Sequence, residues 1–181
     1  HFMRLKEKYN KEIIPALKKE FKYTNPFGVP KLTKVVVNVG VGRFTKDKAY
    51  IENVRETLSK ITGRQPMLNP ARKSISAFKV REGMIVGVSV TLRGQRMYDF
   101  VEKLVAVSLP RIRDFRGLSS KLVDRSGNLS IGLKESSCFP EIRADEIEKS
   151  HGLEICLATT AKTREEGLAL FKLMGFPFKA E

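Results

Sequence analysis

Residues 85–93 alternate so strictly that they limit the architectures open to this chain. Val86, Val88, Val90 and Leu92 fall on one side, and Gly87, Ser89, Thr91 and Arg93 on the other. Successive side chains of a strand leave on opposite faces, so this run predicts a strand covered by helices on its apolar side only. The other side is unusual in content. Gly, Ser, Thr and a terminal Arg let a phosphate backbone lie close, accept and donate hydrogen bonds to it, and supply charge. No Phe or Tyr stands there, so the pattern suits shape and backbone recognition of folded RNA rather than the stacking of single strands.

The rest of the chain reads compatibly. Residues 32–40 give a second strand, with Val35, Val37 and Val39 on one face and Lys34, Val36 and Asn38 on the other. A short strand is expected over 129–133 and a longer one over 153–160. Leu5, Tyr9, Ile13, Leu17 and Phe21 recur at helical spacing, and Pro15, which lacks an amide hydrogen, should kink or restart that helix. Ile51, Val54, Leu58 and Ile61 predict a helix closed by Gly63 in the left-handed conformation. Met97, Phe100, Val101, Leu104 and Val105 predict another, ended by Pro110. Thr163 and Glu166 form a capping box for a last helix through Leu168, Leu170, Phe171 and Met174, with Gly175 as its stop. Strands and helices are interspersed without regular alternation. The expected fold is therefore α+β: an antiparallel or mixed sheet with helices packed on one face, the other face open for RNA, plus an extended basic loop. The length suits one domain over residues 3–181. His1 and Phe2 stand ahead of Met3 and read as a remnant outside the native chain.

Charge names the partner class. Thirty-four Lys and Arg against twenty Asp and Glu leave a formal charge of +14. Such an excess repels itself, and a polyanion relieves it. Residues 60–96 hold eight basic residues and one acid, Glu82, which is half of the net charge. Residues 135–166 reverse the balance, with eight acids against Arg143, Lys149, Lys162 and Arg164, and predict an acidic lobe pointing elsewhere. Nucleic acid thus leads over an acidic membrane surface. No apolar run approaches the roughly 20 residues that span a bilayer, and no signal peptide is visible, so a membrane is not expected among the partners. Cys138 and Cys156, without a CxxC pattern, suit a reducing cytosol and read as small buried or half-buried groups.

Catalytic chemistry has little to work with. Gly40-Val41-Gly42 follows a strand, but Thr45 stands where the third glycine of a dinucleotide fingerprint belongs. A tight turn, or glycines admitting RNA, fits better. His151, before Gly152, reads as a surface loop histidine, and one native histidine with two scattered cysteines makes no typical zinc site. Glu141, Asp145, Glu146 and Glu148 surround Ile142 and Ile147 and read as a solvated helix edge. No enzyme activity, metal or cofactor is expected. The rivals are a non-specific nucleic-acid-binding protein and an RNA-processing enzyme.

Several segments are more specific. They are Val36-Val37-Asn38-Val39-Gly40-Val41-Gly42, Ala71-Arg72-Lys73-Ser74-Ile75-Ser76-Ala77-Phe78-Lys79-Val80-Arg81-Glu82-Gly83 and Val90-Thr91-Leu92-Arg93-Gly94. Pro110-Arg111-Ile112-Arg113-Asp114-Phe115-Arg116-Gly117-Leu118, Phe139-Pro140-Glu141-Ile142, Thr159-Thr160-Ala161 and Phe176-Pro177-Phe178-Lys179 follow. In this order they resemble, over essentially the whole chain, the family of large-subunit ribosomal protein number five, the 5S rRNA binder. The resemblance implies a cytoplasmic protein of the large subunit's central protuberance, with 5S rRNA, 23S rRNA, peptidyl-site tRNA and neighbouring ribosomal proteins, including one of the small-subunit head, as partners. The 5S surface so expected comprises Asn38, Gly40, Gly42, Arg72, Lys73, Ser89, Thr91 and Arg93. A loop over residues 75–83, with Ser76, Phe78, Lys79 and Arg81, is expected to touch tRNA. Arg111, Arg113 and Arg116 are expected near 23S rRNA or the subunit bridge. Two departures stand out: the family's aspartate-glycine-arginine-glycine-asparagine turn is here Asp124-Arg125-Ser126-Gly127-Asn128, and a glutamine usual before the Phe139-Pro140 motif is absent.

Overall fold

The computed structural model describes residues 3–76 and 80–180. The alternating segments form β1 (Leu32–Gly40), β3 (Ile85–Leu92), β4 (Leu129–Leu133) and β5 (Leu153–Thr159). With β2 (Met67–Pro70) they make a five-stranded antiparallel sheet of order β2-β3-β1-β5-β4. Reciprocal bonds continue the β1–β5 pairing just beyond the two strands: Lys31 N donates to Thr160 Oγ1 and Thr160 N to Lys31 O, each at 3.0 Å. Strand β2 was not anticipated, because Met-Leu-Asn-Pro has no alternation and ends in proline. It survives as an edge strand, antiparallel to β3 with Met67 opposite Ser89, and its register slips between Asn69 and Pro70.

The chain groups into two compact units, and the divisions fall inside β1, β3, β4 and β5. The first comprises His1–Val35, Leu92–Ile131 and Cys156–Glu181. It holds helices α1 (Leu5–Lys8), α2 (Ile14–Phe21), α4 (Gly94–Lys103) and α5 (Arg164–Leu173). Helix α1 packs on α4 and α2 on α5, burying Leu5, Ile13, Leu17, Val101, Leu104, Leu170 and Phe171. Both prolines act as their chemistry requires. Ahead of Pro15, Ile14 N donates to Tyr9 O, and ahead of Pro110, Leu109 N donates to Leu104 O. Each is a five-residue bond closing a π turn where proline has removed the ordinary donor. The second helix therefore ends in a short 3-10 turn at Arg111, one residue past the expected stop. Arg4 reaches both Asp99 (2.7 Å) and Glu102 (3.1 Å); on an exposed surface such pairs contribute about 0–1 kcal/mol. Tyr9 is buried and donates to Pro30 O at 2.8 Å. Burial, with some help from Tyr98, pushes its phenol up to about 12. Half of the expected capping box forms: Glu166 N donates to Thr163 Oγ1 at 3.3 Å, whereas the Glu166 carboxylate takes Lys162 N instead of Thr163 N.

The second unit comprises Val36–Thr91 and Gly132–Ile155. Helix α3 (Lys48–Thr62) begins where Asp47 accepts from Tyr50 N at 3.0 Å and ends at Gly63, φ 72°. Its Ile51, Val54, Leu58 and Ile61 are buried, as are Val37, Val39, Val88 and Val90 of the strands. At about 1.5–3 kcal/mol for each large side chain fully removed from water, this set is the unit's main source of stability. The acidic residues of this unit do not form a lobe of their own. Of the acids expected on a helix edge, Asp145, Glu146 and Glu148 lie in a 3-10 segment, Ala144–Lys149, and Glu141 precedes it. That segment is tied to α3 by Asn53 Nδ2 donating to Lys149 O at 3.0 Å and by a Lys60–Glu146 ion pair. Lys60, then the Arg143 amide, holds the Glu146 carboxyl below the usual range. The side chain of Glu148 lies outside the described residues.

Candidate nucleic-acid interface

In the second unit the strand alternation separates two chemistries. Opposite the buried valines stand Asn38, Ser89 and Thr91, each half-buried, and Gly40, exposed. A side chain at Gly40 or Gly42 would meet no protein atom within 4 Å, so these glycines face open space. Gly87, expected among the open positions, is buried. A Cβ there would lie 3.6 Å from Asn38 Oδ1 and 3.7 Å from Asn69 Nδ2. The two amides cover it, and Asn69 Nδ2 donates to Ser89 Oγ at 2.9 Å. The correction has a simple cause: amide side chains of neighbouring strands lean into the space that glycine leaves.

Beside this face lies a groove of about 830 Å³. It brings together four of the expected residues, Gly40, Gly42, Arg72 and Lys73, and adds Arg43 and Phe44, which sequence reasoning missed. Both lie in a 3-10 turn, Gly42–Phe44, too short to show periodicity. Phe44 rests on Tyr50 with ring centroids 4.1 Å apart and keeps 43% of its surface exposed. A smaller hollow of about 320 Å³ runs between Asn38, Gly40, Tyr50, Gly152 and Glu154.

The expected basic loop is a hairpin growing out of β2 and β3. Ala71 N donates to Met84 O (2.7 Å), Gly83 N to Ala71 O (2.9 Å), and Ile75 and Val80 exchange bonds of 2.8 and 3.1 Å. Glu82 N donates to Ser74 Oγ at 3.0 Å. Ser76 and Arg81 are exposed on it; Phe78 and Lys79 lie outside the described residues. Among the described residues, Arg4, Lys11, Arg55 and Lys60 stand in ion pairs. Among the described residues, no carboxylate pairs with Arg43, Arg72, Lys73 or Arg81. Among those residues, their charge is left without a carboxylate partner.

Other expected residues fall in the first unit and are described with it. Arg93, extended at φ −138°, is the N-cap of α4 and not the last strand residue. Arg111, Arg113 and Arg116 are exposed on a segment fastened to the C-terminal residues, where Leu118 N donates to Pro177 O (2.7 Å) and Lys179 N to Leu118 O (2.8 Å).

His151 is buried, contrary to the surface position expected for it. Its Nδ1 lies 3.0 Å from Gly152 O, and its ring meets Tyr50 edge-on at 6.4 Å. A nonpolar setting was invisible because the ring's neighbour, Tyr50, is about a hundred residues away in sequence. Burial lowers its pKa, against a smaller opposing pull from the Gly152 carbonyl. The folded ring therefore resists a proton that the unfolded chain accepts near 6.5. Stability from this residue is present above that value and lost as pH falls through it. We expect the urea midpoint to drop between pH 7 and pH 5, and to drop less in His151→Phe. Equal drops in the two proteins would contradict the assignment.

A basic α+β protein with a polar sheet face and unpaired cations beside it belongs to a class suited to polyanions. Comparison with known proteins gives the family. Residues 25–81 match the family model described as ribosomal protein L5, and residues 85–178 match that of the ribosomal L5P family C-terminus. The large ribosomal subunit protein uL5 of Thermobifida fusca (strain YX) is 52% identical over 178 residues, covering 98% of this chain and 93% of that protein. Its namesake in Citrifermentans bemidjiense is 51% identical over 176 residues, covering 97% of this chain and 98% of that protein. The chain belongs to the ribosomal protein L5 family.

Proposed function

We propose that the chain is a structural constituent of the large ribosomal subunit and binds 5S rRNA through the polar sheet face of its second unit. The observation that carries this reading is the uncovered face of β1 and β3, edged by cations that no carboxylate of the described residues neutralises. Lys and Arg neutralise phosphates, Asn38, Ser89 and Thr91 position the RNA by hydrogen bonds, and Gly40 and Gly42 allow close approach. Arg93 extends the charge beyond the strand. The hairpin with Ser76 and Arg81, joined in sequence by Phe78 and Lys79, reaches the peptidyl-site tRNA. Arg111, Arg113 and Arg116 contact 23S rRNA or a protein of the small-subunit head. The protein acts in the cytoplasm as part of the particle, as a scaffold and not an enzyme, and needs no cofactor.

The test is whether the purified protein selects 5S rRNA from total RNA and keeps it against excess duplex DNA. Equal competition by DNA would favour a non-specific packaging protein, and turnover of 5S rRNA or tRNA would favour an RNA-processing enzyme. If about six phosphates are neutralised, the log–log slope of affinity against salt should be roughly −4 to −5; a flat response contradicts the electrostatic part. The surfaces should also separate. Ser89→Ala with Thr91→Ala is expected to weaken 5S binding, and Arg81→Ala to affect tRNA contact on assembled ribosomes. Equal loss of 5S binding in both would show that the partition is wrong.

A further inference from the structure

The groove beside the sheet face has two kinds of wall, and a duplex uses only one of them. Arg43, Arg72 and Lys73 suit phosphates. Phe44, Ile75 and Val86 are apolar, and Phe44 and Ile75 are 43% and 47% exposed. A paired helix presents phosphates and sugars, with its bases stacked inside, and leaves such walls facing water. An unstacked base offers a flat apolar face and carries a phosphate on each side. The floor contains Gly40 and Gly42, at which no protein atom lies within 4 Å of an added Cβ. The volume, about 830 Å³, is in the range of small-ligand sites and admits a whole nucleotide.

From this we infer that the groove seats one unpaired nucleotide of the bound RNA, its base against Phe44 and its flanking phosphates on Arg72, Lys73 and Arg43. The inference rests on the RNA-binding reading and sharpens it from a surface to a subsite. Recognition of an extruded base would give the face a preference for one RNA architecture that backbone contacts alone cannot supply.

The test uses intact protein and 5S rRNA molecules that each carry one abasic nucleotide at an unpaired position. At one position the abasic change is expected to weaken binding about tenfold, the usual effect of losing one base–aromatic contact. Phe44→Ala should weaken binding of intact RNA by a similar factor, and the combination should lose no more than the larger single change. Because Phe44 also supports Tyr50, a second variant guards against misfolding. Gly42 lines the groove, and a Cβ added there has no protein atom within 4 Å, so Gly42→Leu should keep the urea midpoint and weaken binding at least tenfold. If 5S rRNA binds wild type but no position couples to Phe44, or if Gly42→Leu binds as tightly as wild type, the subsite is overturned while RNA binding stands. Failure of wild type to bind 5S rRNA at all is a different result, and it removes the reading of the whole face.

Discussion

Replacing Arg43, Arg72 and Lys73 together by alanine is expected to weaken 5S rRNA binding by about a hundredfold to a thousandfold, with the urea midpoint unchanged or slightly raised. The reasoning is one of compensation. A cation already paired to a carboxylate must give up that partner to hold a phosphate, whereas these three, all exposed, have none among the described residues. A charge-assisted contact is worth about 1.5–3 kcal/mol when ordered, and exposed side chains sit at or below the lower end, so three of them supply about 3–4 kcal/mol. Their mutual repulsion in the free protein means that removing them does not destabilise the fold. The salt slope should become shallower by about 2–3, since each neutralised phosphate contributes about 0.7–0.9. A triple variant that keeps wild-type affinity and slope would show that the cations merely face solvent.

The second large effect concerns stability. Gly167→Ala in α5 should gain about 1 kcal/mol if helix propensity alone decided. The structure gives the opposite sign. A Cβ at Gly167 would lie 2.4 Å from the Cα and O of Gly127. Gly127 is held in a turn that cannot easily give way: Thr159 Oγ1 donates to its carbonyl at 2.8 Å, and Asp124 Oδ1 accepts from Ser126 N (2.9 Å) and Asn128 N (3.0 Å). Overpacking costs about 1–3 kcal/mol, and contacts this short with backbone fall at the upper end, so a net loss of about 2 kcal/mol remains after the propensity gain and is expected in urea unfolding. Gly127→Ala should lose more, because its φ of 80° adds left-handed strain of about 1–2 kcal/mol to contacts of 2.6 and 2.8 Å with Ala161 and Thr163. A stabilised Gly167→Ala would contradict this packing.

That turn also shows what sequence can and cannot reveal. The departure from the family pattern at Arg125 and Ser126 falls at exposed positions, and neither has a positive φ. The glycine that does the conformational work, Gly127, is retained. Strand and helix placement was legible wherever burial imposes a period, as in Val35, Val37 and Val39 or Ile51, Val54 and Leu58. Strand β2 was not, because an edge strand is held by its neighbour's backbone and needs no alternation of its own. The π turns follow from Pro15 and Pro110, but their geometry depends on which carbonyl the displaced amide finds. For the candidate site, Asn38, Ser89 and Thr91 were visible through alternation. Arg43 and Phe44 were hidden in a turn without period, and the burial of His151 depends on a ring distant in sequence.

The most direct measurement places a negative charge on the polar face, near the end of β3. Thr91→Glu adds a carboxylate at a half-buried position beside no acid of its own strand, and affinity for 5S rRNA is read at fixed salt alongside the urea midpoint. Like charges brought together cost several kcal/mol, so binding at least about a hundredfold weaker with the fold intact is the expected result. Affinity within about twofold of wild type would mean that RNA never docks on this sheet surface.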